Sequence, residues 1–277
     1  MGLRINTNVL SLSAQRNMGK VRREQSSNLE KLSSGSRINK AADDAAGLAI
    51  SEKLKAHISG SKQATRNAND GISLLQTAEG GLNEIGNILV RMREISVQSA
   101  SDTVGDKERS FTNMEFQALK QEVNRISEST TFNSRKLLSG EGGPLDFQIG
   151  INNDANNDRL QYDPSRITAK ADQIGIDSLS VSDKEGSRNG LAAIDDAIGK
   201  ISGNRAELGA LQNRLQSTVN NLEVKTENLS AANSRIRDTD VASATANLTK
   251  SNILMGASTS VLSQANSSGS AAMKLIG

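Results

Sequence analysis

The chain contains no cysteine and no tryptophan, and only one tyrosine (Tyr162), one histidine (His57), four phenylalanines and two prolines among 277 residues. Without cysteine there is no disulfide framework and no thiolate metal site. The shortage of aromatics removes the large anchors of an ordinary enzyme core and the stacking platforms of a nucleic-acid groove. A net charge of +2 gives no polyanion signal for the molecule as a whole. The first 40 residues are nevertheless basic: Arg4, Arg16, Lys20, Arg22, Arg23, Lys31, Arg37 and Lys40 stand against Glu24 and Glu30, a net +6. A Ser-His-Asp triad would have to use His57, whose helical setting offers no nucleophile elbow, and HExxH is absent. Asp154-x-Asn156-x-Asp158 has the opening of a calcium loop, but Arg159 and Ser165 stand where that loop needs glycine and glutamate. Gly140-x-Gly142-Gly143 precedes a strand pattern instead of opening a helix, so it is not a phosphate cradle. These readings point away from an enzyme and from a bound cofactor or metal. No run is long and apolar enough to span a bilayer. No apolar run of 7–15 residues follows the first charges, so export, if it occurs, is expected without a cleaved signal peptide.

What the chain has instead is heptad spacing. The series Leu191, Ile194, Ile198, Ile201, Arg205, Leu208, Gln212, Leu215, Val219, Leu222, Thr226, Leu229, Asn233, Ile236 keeps a three-then-four rhythm without a proline. It predicts one long helix with a coiled-coil seam, which needs other long helices beside it. Arg205, Gln212, Thr226 and Asn233 interrupt the seam, either fixing the pairing or turning to water. Leu75, Ala78, Leu82, Ile85, Leu89 and Met92 form a second clean stripe. It is expected to be continuous with a helix that begins near Asp43-Asp44, through Gly71 at about 1 kcal/mol relative to alanine. Phe116, Leu119, Val123 and Ile126 mark another helix after a turn at 101–106.

Near the start, Ile5, Val9 and Leu12 open a stripe. Ala14, Met18, Val21, Leu29 and Leu32 share a face, with Gln25 filling the gap, and the run breaks at 33–36. After a second interruption at 237–240, Val241, Ala244, Leu248, Ser251, Met255, Ser258, Leu262 and Ala265 form a stripe of mostly small residues. Between 140 and 190 the texture changes. Leu145, Phe147, Ile149 and Ile151 alternate as in a strand, 152–158 reads as a turn, and Arg159 to Tyr162 is expected to return as the paired strand. The fold class read from this pattern is mainly α: an elongated helical coiled-coil rod with paired terminal helices and a small β-hairpin region in the middle.

Several blocks carry a family resemblance. They are Ile5-Asn6-Thr7-Asn8; Ser34-Gly35-Ser36-Arg37-Ile38-Asn39 followed by Ala42-Asp43-Asp44-Ala45-Ala46-Gly47-Leu48-Ala49-Ile50; and Asn67-Ala68-Asn69-Asp70-Gly71-Ile72-Ser73. Toward the other end stand Leu208-Gly209-Ala210-Leu211-Gln212-Asn213-Arg214-Leu215, Ser234-Arg235-Ile236-Arg237-Asp238-Thr239-Asp240 and Thr259-Ser260-Val261-Leu262-Ser263-Gln264-Ala265-Asn266. In this order the chain resembles bacterial flagellin, in a minimal form without large central surface domains.

The resemblance implies a layout. Residues 1–44 and 233–277 would be the helices of an inner-tube domain. Residues 45–140 and 191–232 would supply the helices of an outer rod domain, and 141–190 its hairpin region. It implies an extracellular subunit that polymerises into the flagellar filament for motility, with itself and sister flagellins as partners. It further implies an export chaperone and cap and junction proteins, with no nucleic acid and no membrane. The subunit-interface candidates are Ile5, Val9, Leu12, Met18, Val21, Leu29 and Leu32 at one end, and Val241, Leu248, Met255, Val261, Leu262, Leu275 and Ile276 at the other. Arg91, Ile95 and Leu119 resemble the patch read by Toll-like receptor 5, although Leu119 stands where immunostimulatory members carry a glutamate. The alternatives are a hook–filament junction protein and a non-flagellar coiled-coil binding or signalling protein.

Overall fold

A computed structural model describes the backbone of residues 7–274 and the side chains of residues 7–267. Its elements run α1 (Val9–Ser34), α2 (Ala45–Ser99), α3 (Asp106–Ser129), β1 (Thr131–Phe132), β2 (Arg135–Lys136), β3 (Leu145–Gln148), β4 (Arg159–Tyr162), α4 (Ala171–Ile174), α5 (Lys184–Arg237) and α6 (Val241–Lys274). The mainly α reading holds, with two small antiparallel hairpins as the described β structure. The contacts divide the chain into one unit of residues 1–57 with 228–277 and another of residues 58–227. Both cuts fall inside the long helices α2 and α5, whereas the resemblance implies bounds at 44/45 and 232/233.

In the unit of residues 58–227 the heptad stripes become the core. Leu75, Ala78, Leu82, Ile85, Leu89 and Met92 of α2 are fully buried, together with Ile194, Ala197, Leu208 and Leu215 of α5 and Phe116 and Val123 of α3. Each large aliphatic side chain so covered contributes about 1.5–3 kcal/mol, so leucine and isoleucine do what aromatics do elsewhere. A Cβ at Gly71 would lie 3.2 Å from both Leu215 Cδ1 and Phe147 Cδ1. The glycine inside α2 therefore marks a close approach of α5 and the hairpin. The buried face of α5 passes through Gly190, Ala197 and Leu211, one residue before the expected Leu191, Ile198 and Gln212. Arg205 is accordingly exposed, and Gln212 is half-buried and donates to Glu79 Oε2 at 3.0 Å.

Strands β3 and β4 pair as the alternation predicts, with Leu145 opposite Tyr162 and Phe147 opposite Leu160. Buried Tyr162 donates its hydroxyl to the Leu137 carbonyl at 2.8 Å. Burial, then Asp163 and Glu207, hold its ionisation far above the ordinary range. The turn at 152–158 is tied by its own acids. Asp154 Oδ1 accepts from the Asn156 N–H, Asp154 Oδ2 from the Asn157 amide, and Asp158 Oδ2 from the Asp154 N–H.

Two features differ from the sequence reading. Hairpin β1–β2 was not expected; its two-residue turn, Asn133-Ser134, has φ of 47° and 64°, the left-handed pair that such turns require. Helix α5 begins at Lys184, seven residues before Leu191. Asp183 Oδ2 accepts from the Gly186 N–H at 2.9 Å and caps a first turn whose glycines and charges carry no apolar stripe.

Candidate assembly interface

In the unit of residues 1–57 with 228–277, α1 and α6 run antiparallel. Asn8 Nδ2 donates to the Ala265 carbonyl at 2.8 Å, Ser11 Oγ to Asn266 Oδ1 at 2.9 Å, and Gln25 Nε2 to Asn252 Oδ1 at 2.7 Å. The seam follows a strict three-four rhythm on each helix. On α1 it passes through Ser11, Ala14, Met18, Val21, Gln25, Asn28 and Leu32, and on α6 through Ala244, Leu248, Ser251, Met255, Ser258, Leu262 and Ala265. Ser11, Ala14, Ala244, Ser251 and Ala265 are buried and the rest half-buried. Small residues at the buried positions let the backbones approach closely, at the expense of little apolar area to cover.

This register sorts the interface candidates. Met18, Val21, Leu32, Leu248, Met255 and Leu262 lie on the seam inside the chain. Val9, Leu12 and Leu29 of α1, and Val241 and Val261 of α6, are at least half exposed, Val9 and Val261 at 58% and Val241 at 63%. Leu29 therefore does not share the face of Leu32: the seam passes through Asn28, one residue earlier. Val9 and Leu12 project from the opposite side of α1, in line with Arg16, Lys20 and Arg23, which have no hydrogen-bond or ion-pair partner among the described residues. Ile5, Leu275 and Ile276 lie outside the described residues. Sequence reading missed four further exposed apolar side chains: Leu10, Ile50, Ile253 and Leu254. Leu254 and Val261, seven residues apart beside the seam, were the signal available.

The breaks between helices meet in one joint. Gly35 ends α1 in the left-handed conformation at φ 68°. Ser36 forms an antiparallel bridge with Asp238. The Arg37 N–H donates to the Arg237 carbonyl at 2.6 Å and the Thr239 N–H to the Gly35 carbonyl at 2.9 Å. The Arg37 guanidinium donates twice to the Ile236 carbonyl, from Nε at 3.2 Å and Nη2 at 2.7 Å. Arg237 pairs with Glu52 and holds its carboxyl below the usual range. Asp43 Oδ2 accepts from the Lys40 and Asn39 N–H groups, which lower its pKa in turn.

The three positions expected to form an innate-receptor patch are not alike. Arg91 is exposed and paired with Glu94 at 3.0 Å and Glu115 at 2.8 Å. Leu119 is half-buried against the core. Ile95 is 1% exposed and belongs to the core, so the expectation that it forms part of a surface patch is corrected: at the α2 heptad position after Met92 it points inward.

The comparisons agree with this architecture. The family described as bacterial flagellin N-terminal helical region matches residues 5–142, and that described as bacterial flagellin C-terminal helical region matches residues 191–276. A flagellin of Halalkalibacterium halodurans is 43% identical over 272 residues, covering 98% of this chain and 99% of the relative. The flagellin of Bacillus subtilis is 39% identical, covering 95% and 96%. The flagellar filament 33 kDa core protein of Treponema phagedenis is 40% identical, covering 98% and 99%. Among solved structures, Bacillus cereus flagellin aligns with a TM-score of 0.51 at 28% identity, over 61% of this chain and 94% of that one. The chain belongs to the bacterial flagellin family and is a structural subunit of the flagellar filament.

Proposed function

We propose that the exposed apolar residues of α1 and α6 are the contacts between subunits, and that the terminal helices order as the filament grows. The observation that carries this is the split of each terminal helix into two faces. The α1–α6 seam uses alanine, serine, asparagine and glutamine at many of its positions, while Val9, Leu10, Leu12, Val241, Ile253 and Val261 stay in water. A pair held by so little apolar area barely offsets backbone ordering, at about 1–2 kcal/mol per residue. Neighbouring copies that cover the outer faces add about 25 cal/mol per Å² of apolar surface, so ordering and docking become one step. A heterologous contact repeated along a helix gives an open polymer. In this reading residues 1–44 and 233–277 line an inner tube, 45–140 and 191–232 form the outer helices, and 141–190 the hairpin region. Val9, Leu12, Leu29, Val241 and Val261, with Ile5, Leu275 and Ile276, make the intersubunit contacts. Met18, Val21, Leu32, Leu248, Met255 and Leu262 set the pair that presents them.

An export chaperone, cap and junction proteins are the further partners, and export proceeds without a cleaved signal peptide. Recognition by Toll-like receptor 5 is expected to be weak, because Arg91 is engaged by two glutamates and Leu119 supplies no charge. The test is seeded growth followed by negative-stain microscopy. The full chain elongates on seeds, and a chain lacking residues 241–277 does not, while its 58–227 unit keeps its thermal transition. Elongation by the truncated chain would overturn the interface assignment.

A further inference from the structure

We infer that Arg37 is a positioning residue from which the α1–α6 pair forms: it closes the joint between the two helix breaks, and pairing spreads from there toward Asn8 and Ala265. This rests on the reading that the terminal helices order during assembly, and adds where that ordering starts.

Residue 37 takes the last two carbonyls of α5. Its N–H bonds Arg237 O, and its guanidinium bonds Ile236 O through two nitrogens. A cation at the C-terminus of a helix also meets the negative end of the helix dipole. The neighbouring bridge Ser36–Asp238 and the bond from the Thr239 N–H to Gly35 O lock residues 35–37 beside the end of α5 and residues 238–239. Asp240 Oδ1 then accepts from the N–H groups of Ala242 and Ser243 and launches α6 at once. One set of bonds thus fixes where α1 ends and where α6 starts, and so their mutual register. Further out, the first side-chain bond across the pair is Gln25–Asn252, followed by Ser11–Asn266 and Asn8–Ala265 near its far end, in a seam with little apolar bulk. Loop closure is shortest at the joint, so contacts form there at the least entropic cost.

The joint is also weak by construction. Two of the three buried side-chain polar atoms without a hydrogen-bond partner among the described residues lie in or beside it: Asn233 Oδ1 and Thr239 Oγ1. A buried unsatisfied group opposes the closed arrangement. The bonds from Arg37 and these two orphaned atoms therefore act in opposite directions, which leaves the joint able to open before assembly.

The experiment uses the full chain and its Arg37→Gln, Arg37→Lys and Thr239→Val variants. Two quantities are read: the critical concentration for growth on wild-type seeds, and peptide-resolved amide exchange of the free chain and the polymer. Arg37→Gln is expected to raise the critical concentration about tenfold, as loss of a charge-assisted bond does, and to speed exchange in α1 and α6 together. Arg37→Lys restores part of the loss, Thr239→Val lowers the critical concentration, and exchange in 58–227 stays unchanged in all three. Protection in the wild type falls from the joint toward Ala14 and Ala265. Unchanged growth and exchange in Arg37→Gln, or protection highest at the far end of the pair, would overturn the inference. Failure of the wild-type chain to grow on seeds would instead remove the assembly reading, while the exchange gradient still tests the joint.

Discussion

Substituting Val261 by aspartate separates the two faces of α6. Val261 is 58% exposed; its neighbour Leu262 lies half-buried on the seam with α1. Burying a whole valine contributes about 1.5–3 kcal/mol, so covering the exposed part in a polymer contributes about 1–2 kcal/mol. Val261→Asp forfeits that and leaves a carboxylate without a partner in the contact, a penalty of about 3–5 kcal/mol. At 1.4 kcal/mol per factor of ten, the critical concentration rises by at least about 100-fold. In the free chain the change sits on the surface, where substitutions stay within about 0.5 kcal/mol. Helicity and the melting of the 58–227 unit are therefore unchanged. Leu262→Ala removes only part of an internal contact and raises the critical concentration about tenfold. Growth is read by pelleting after seeding, folding by circular dichroism. Val261→Asp chains that elongate at the wild-type concentration would refute the assignment of this face to a neighbouring subunit.

Tyr162→Phe leaves the buried Leu137 carbonyl without its donor and is expected to destabilise the 58–227 unit by about 1–2 kcal/mol in denaturant melts. Gly71→Ala gains helix propensity but sets a Cβ 3.2 Å from Leu215 and Phe147; a lower melting temperature is expected, and a rise would contradict the close packing. Arg237 holds the Glu52 carboxyl, and backbone N–H groups hold that of Asp43, below their ordinary values. The stabilisation these groups give the joint is complete above the usual carboxylate range and is lost as pH falls through the depressed values. Amide protection at 36–39 and 237–240, corrected for intrinsic rates, should fall on acidification, and less steeply in Glu52→Gln. Leu119→Glu should raise the response of a Toll-like receptor 5 reporter line, and an unchanged response would count against reading the patch by resemblance.

The stripe of α2 was legible because its buried positions, Leu75 to Met92, keep the expected spacing. On α5 the rhythm was legible but not its phase, since the buried face passes through Gly190, Ala197 and Leu211, one residue before Leu191, Ile198 and Gln212. The β3–β4 hairpin was legible from its alternation. The β1–β2 hairpin was not: two residues per strand give no period, and Asn133-Ser134 lacks the glycine that usually marks such a turn. The start of α5 was hidden because 184–190 is helical through its Asp183 cap and its continuity with the helix, and carries no apolar stripe. On α1 the pattern placed a leucine at 29 where the seam holds an asparagine at 28. A stripe that is half polar leaves its phase open by one residue, and the sorting of Val9, Leu12 and Leu29 to the outside followed only from the partner helix.

The turn between β3 and β4 secures itself with Asp154 and Asp158. The Ile149 and Gly150 N–H groups donate to the Asp158 carbonyl, Gln148 of β3 donates to the carbonyls of Gly150 and Asn152, and Arg159 of β4 to Asn153. A peptide grafted beside Ala155 enters a run, 152–157, whose side chains are all exposed, and would disturb a few local bonds, with lengthening itself adding only about 0.6 kcal/mol per doubling of the loop. The hairpin tip is thus a ready place to carry foreign sequence in many copies along a thread.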